Sequence, residues 1–166
     1  MNLAETMPME ATLSIYVLPT DGSAAYKYFE GLNKITDKAR AHLMHLVTDN
    51  PVLHSPNPIT GFKVGSGGVG AGVTGAETDL FTPINPTGNY DTALVYGYSS
   101  SERMATFSFQ LGPDDANTLA ISEVGMFASN YWLGNALNGK MFNIKTFPEV
   151  VKSSTFSLAF VWKVNF

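Results

Sequence analysis

Three sets of residues have types and spacing that point to chemistry, and each is tested first against what that chemistry needs. Gly65, Gly67 and Gly70 satisfy G-x-G-x-x-G, the spacing that lets a pyrophosphate rest on a helix N-terminus. The residues that follow, Gly72, Val73, Thr74 and Gly75, are poor helix material, and no Lys-Ser or Lys-Thr completes a phosphate loop. The run 65–75 (GSGGVGAGVTG) holds six glycines in eleven residues and reads as a flexible or tightly turning loop with no cofactor. His42 and His45 lie three apart, with His54 further along. A zinc site needs three or four ligands, and no Glu stands between the two histidines as in a metalloprotease helix. Both belong to a polar helix face, so no metal is expected.

The carboxylates are the third set. Asp114 and Asp115 follow Gly112-Pro113, which makes them turn residues. Asp79 and Asp91 stand apart from them. Glu123 lies in a strand candidate beside Ser122, but no flanking His completes a nucleophile–base pair. These residues make no catalytic set, and the chain is not expected to be an enzyme.

The elements that would position these residues are mostly strands. Ala11–Leu18 is a first strand, stopped by Pro19 and the turn residues Thr20, Asp21 and Gly22. The segment 24–32 carries Tyr26, Tyr28 and Phe29 without a clear period. One helix is predicted over 36–47. Thr36 serves as N-cap, Asp37 meets the positive end of the dipole, and Ile35, Ala39, Leu43, Leu46 and Val47 form one apolar stripe. Asp49-Asn50-Pro51 ends it. Ile59–Val64, Thr92–Tyr98, Arg103–Leu111 and Leu119–Phe127 are further strands, the last broken by Gly125. Asn138-Gly139 signals a type I′ hairpin turn leading into Met141–Phe147. In the last strand Phe156, Leu158, Phe160, Trp162, Val164 and Phe166 fall on one face, opposite Ser157, Ala159, Lys163 and Asn165. One such face must be buried against a second layer. The fold class is mainly β, an antiparallel β-sandwich with one capping α-helix and an extended N-terminal arm. Residues 1–32 form the arm and first strand, and 33–166 the sandwich domain.

Composition limits the partners. The 166 residues suit one domain. Hydrophobic residues make up 45% and charged residues 14%, where soluble domains carry about a quarter charged. A chain so poor in charge is expected to have part of its surface covered by another protein. Ten basic residues against fourteen acidic give −4 without a Lys/Arg cluster, which argues against nucleic acid. No apolar run reaches the roughly 20 residues that span a bilayer, so no membrane partner is expected. The chain has no Cys, in keeping with a reducing cytoplasm as the place of synthesis.

Several segments together resemble a known family. Phe62–Gly67 followed by Glu77-Thr78-Asp79-Leu80, the strand Ile121–Phe127, and the ending built from Phe147-Pro148, Val151-Lys152 and Phe156–Trp162 resemble small structural proteins of tailed bacteriophages. Lys38-Ala39-Arg40 and the helix after it are similar to the helix that opens such proteins. Similar modules form the particle-attaching part of tail-collar fibre proteins. The resemblance covers residues 33–166. The glycine loop is longer than in that family, and residues 1–32 have no counterpart there. It implies a virion part in the tail, baseplate or neck, a homo-oligomer contacting other virion proteins, with capsid decoration as one alternative. Tyr96, Tyr98, Tyr131 and Trp132 leave open a second alternative of another class, a sugar-binding module on a fibre. Met7, Met9, Tyr26, Tyr28, Phe29, Tyr131 and Trp132 are the expected interface residues, with the arm reaching onto an adjacent subunit.

Overall fold

The computed structural model describes residues 10–36, 39, 59–84, 95–130 and 135–165. The protein is mainly β. Eight strands run β1 (Glu10–Pro19), β2 (Tyr26–Ile35), β3 (Ile59–Gly65), β4 (Val95–Ser99), β5 (Met104–Leu111), β6 (Ala120–Asn130), β7 (Asn135–Val151) and β8 (Phe156–Asn165). All pairings are antiparallel. The strands join in one sheet of order β3-β6-β7-β2-β1-β8-β5-β4, curled into a half-barrel. The alternating faces belong to this one curled sheet, in which the ladder between β2 and β7 is formed by the pairs Lys34↔Ile144 and Ile35↔Asn143.

Alternation explains which side of each strand faces the core. Leu13, Ile15 and Val17 of β1 are buried, as are Leu158, Phe160, Trp162 and Val164 of β8, because successive residues point to opposite faces. The curl brings the two ends of the sheet together. Phe62 of β3 stacks on Phe109 of β5, and Phe109 in turn stacks on Phe160 with ring centres 4.6 Å apart. Trp162 lies 5.3 Å from the same ring. One aromatic cluster therefore holds both halves of the sheet.

The first two strands sit in the middle of the sheet. β1 pairs with β8 without a break from Glu10↔Asn165 to Pro19↔Phe156. β2 had no legible period because it carries a bulge. Ile15 pairs with Phe29 but Tyr16 with Lys27, so Tyr28 is an extra residue and the in/out phase changes there.

Several local expectations change. Gly125 does not break β6 but pairs within it, between Lys63 and Ile144. A Cβ there would come within 2.9 Å of the Asn143 carbonyl and 3.3 Å of Met141 Sδ, so glycine is needed for packing. Asn138-Gly139 lies inside β7 rather than at a hairpin tip, where the pairing jumps from Ala128↔Lys140 to Asn130↔Asn135. The helix predicted over 36–47 lies outside the described residues apart from its start. There the Ala39 amide donates to the Thr36 hydroxyl at 3.2 Å, the bond an N-cap makes to the third residue. Of the extended arm expected over 1–10, residues 1–9 also lie outside them, and Glu10 opens β1 instead.

Candidate functional site

Among the described residues Glu123 is the one buried carboxylate. It is fully buried in β6. Oε1 accepts the backbone N–H of Gly67 at 3.0 Å and of Thr82 at 2.7 Å, and Oε2 accepts that of Phe81 at 2.9 Å. Its neighbour Ser122 accepts the Gly68 amide at 3.0 Å. A buried carboxylate is tolerated when backbone donors replace its lost water. Here those donors come from both ends of the 66–84 loop, so Glu123 latches that loop onto the sheet. Both oxygens are taken by backbone groups and shielded from solvent, which does not suit a general acid or base.

The glycine run is the counterpart of this latch. A Cβ at Gly65 would collide with the Glu123 carboxylate, and one at Gly68 with the Ser122 carbonyl. Glycine is required by close approach at these two positions. The amides that would cradle a phosphate, Gly67 and Gly68, are already occupied, and 71–80 forms no helix. The loop buries Leu80 against Phe127, Met141 and Ile144, with Val73 packed beside them.

The same loop covers one edge of the sheet. On the outer side of β3 the Ser66 amide donates to Thr82 O at 3.0 Å and the Ile84 amide to Val64 O at 2.9 Å, with Gly65 and Pro83 forming a bridge. At the opposite edge, among the described residues, β4 pairs with β5 only. Its residues Val95 and Tyr98 are 67% and 71% exposed.

The expected interface residues divide into three groups. Met7, Met9, Tyr131 and Trp132 lie outside the described residues. Tyr26 is exposed. Tyr28 and Phe29 have structural partners: the Tyr28 hydroxyl donates to the Glu149 carbonyl at 2.9 Å, and the Phe29 ring lies 6.0 Å from that of Phe147. These two contacts tie β2 to β7 beyond the point where their ladder stops. A groove of about 520 Å³ opens there, lined by Phe29, Val69, Lys145, Phe147, Pro148 and Glu149. The Lys145 amine sits 5.6 Å from the centre of the Phe29 ring, and burial lowers its pKa from the ordinary lysine value.

The other titratable candidates are structural as well. Asp115 accepts the Gly112 amide at 2.7 Å, closing the turn expected there. Asp79 pairs with Lys63 at 3.0 Å. His42, His45, His54 and Asp91 lie outside the described residues, among which no three His, Asp or Glu side chains gather to hold a metal. Lys152 was singled out only within the family resemblance, and it is buried. It donates to Ser153 O at 2.7 Å and to Pro113 O and Asn117 Oδ1 at 3.3 Å. Desolvation lowers its pKa, and the charges of Asp115 and Asp114 act the other way. No periodicity marks such a residue, because two of its partners, Pro113 O and Asn117 Oδ1, lie 39 and 35 residues away. The open β4 edge did have a signal, the uncharged run VYGYS. Comparison of the chain with protein-family models, with curated proteins and with solved structures gives no match.

Proposed function

We propose that the chain is a structural, assembly-forming component of a tailed-bacteriophage particle, placed in the tail, baseplate or neck, where it joins a fibre or ring to its neighbour. The phage setting rests on the resemblance of 33–166 to small virion proteins. The assembly role rests on one observation: a charge-poor sheet that leaves large apolar side chains in water. Leu32, Val95, Tyr98 and Val151 are each more than half exposed, and burying such groups is what drives stable protein–protein contact. The reading keeps a two-layer sandwich with a helix over one end as the finer architecture, supported by the Thr36 cap.

Its test is the copy number of the chain in purified particles, by quantitative mass spectrometry against the major capsid protein. A handful to a few tens per particle is expected. Hundreds would indicate capsid decoration instead, and absence from particles would remove the virion role. The exposed ring of Tyr98 favours one reading of another class, sugar binding at the host-facing end of a fibre. Binding to a glycan array that Tyr98→Ala abolishes would support it against the connector role.

A further inference from the structure

We propose that β4 is the docking edge of this sheet and that its occupant is β4 of a second copy, the two strands pairing antiparallel about a two-fold axis at Gly97. This deepens the assembly role above by naming a partner and the surface it uses.

Four observations converge on the edge. Among the described residues nothing pairs with the outer side of β4, whereas the outer side of β3 is covered by the chain's own residues 82–84. Edge strands of soluble proteins are normally blunted by charge, Pro or bulges. Val95–Ser99 has none of these: the sequence is VYGYS, and its register with β5 runs unbroken from Val95↔Ser108 to Ser99↔Met104. Val95 and Tyr98 are both largely exposed. A Cβ at Gly97 would meet nothing within 4 Å, so the sheet face at the middle of the strand leaves room for side chains of a paired copy.

The sequence of the strand identifies that neighbour. Tyr-Gly-Tyr reads the same in both directions, and a two-fold axis joins identical patches. Antiparallel pairing centred on Gly97 sets Tyr96 opposite Tyr98 of the second copy, twice over, and Val95 opposite Ser99. The exposed Tyr98 ring of each copy adds cross-strand contact to the backbone hydrogen bonds that the edge supplies. No charge within the strand opposes the pairing of two acidic chains. The result is a sheet continuous across both copies.

The experiment uses the full chain in sedimentation velocity over a wide concentration range. A species of twice the 17.9 kDa chain mass is expected to grow with concentration. The double variant Val95→Lys/Tyr98→Lys should remain monomeric throughout, and at concentrations low enough for the wild type to be monomeric its unfolding midpoint should match the wild type's, since both positions face solvent. Because the chain has no Cys, Gly97→Cys gives a direct readout: air oxidation should join two copies by a disulfide far faster than it joins Ser23→Cys, which sits in an exposed turn. Self-pairing through β4 is overturned by a wild-type chain that stays monomeric, by a dimer that survives the lysine pair, or by equal cross-linking of the two cysteine variants. A monomeric wild type whose lysine variant drops out of particles overturns self-pairing and leaves the assembly role standing. A β4 dimer formed by a chain absent from particles does the reverse.

Discussion

The two edges of this sheet face the same physical problem and meet it differently. A terminal strand presents unpaired amides and carbonyls along its outer side. At β3 the chain folds its own 66–84 loop over that side, fastens the loop to Glu123, and buries Phe62 against the far half of the sheet. At β4 the described residues place nothing, and Val95 and Tyr98 stay in water. The closed edge is built from residues that tolerate no change in volume. At the open edge Val95 and Tyr98 are largely free of neighbours. Sensitivity to substitution should therefore be concentrated at β3 and association at β4.

The largest effect is expected at the latch. Replacing Glu123 by Ala leaves three backbone amides without their acceptor, and at about 1–3 kcal/mol for each orphaned buried group the loss should be about 4 kcal/mol. The measurement is urea unfolding, with the m-value checked for constancy. Glu123→Gln keeps one acceptor oxygen and should lose roughly half as much. An unchanged midpoint for Glu123→Ala would mean that the loop is not held through this residue.

A sharper form of the comparison lies inside the loop itself. Gly68→Ala drives a methyl into the Ser122 carbonyl, and overpacking of this kind costs about 2–3 kcal/mol. Gly70 has a φ of 75° but open space where its Cβ would go. Gly70→Ala should therefore cost only about 1 kcal/mol, the strain of a left-handed backbone. Thermal unfolding of the two variants side by side gives the order. Equal losses would show that backbone conformation rather than close approach sets the glycine requirement.

What the sequence disclosed follows the same division. β1, β5 and β8 were legible because each has one wet and one dry face, so Leu13, Phe109 and Trp162 fall in phase with their neighbours. β6 was harder. From Ile121 to Phe127 every residue is buried, because the loop covers the outer face, and alternation disappears when both faces are dry. β2 was missed because the bulge at Tyr28 shifts the period midway. Glu123 drew attention as an acidic residue in a strand, yet its acceptors' partners lie 41 to 56 residues away, a separation that no local pattern encodes. The glycine run was visible as a turning segment; its reason, contact with Ser122 and Glu123, was not. Asn138-Gly139 carries the dipeptide of a tight turn, but it lies inside β7, in the stretch where the ladder with β6 shifts register between Lys140 and Asn135, so its local preference did not mark the end of the strand.

The smallest effect on stability is expected at the open edge, and this makes it informative. Tyr98 is 71% exposed and pairs through its backbone with Ala105, so Tyr98→Lys removes little packing within the chain. Its unfolding free energy should change by no more than about 0.5 kcal/mol, the usual range for surface positions. If the midpoint falls by as much as it does for Gly68→Ala, the ring has a partner within its own chain and β4 is not an open edge. If the midpoint holds while concentration-dependent association disappears, Tyr98 contributes to contact between molecules and not to the fold. The two edges would then be distinguished by function as well as by structure: β3 is closed by the chain itself, and β4 is left for another chain to complete.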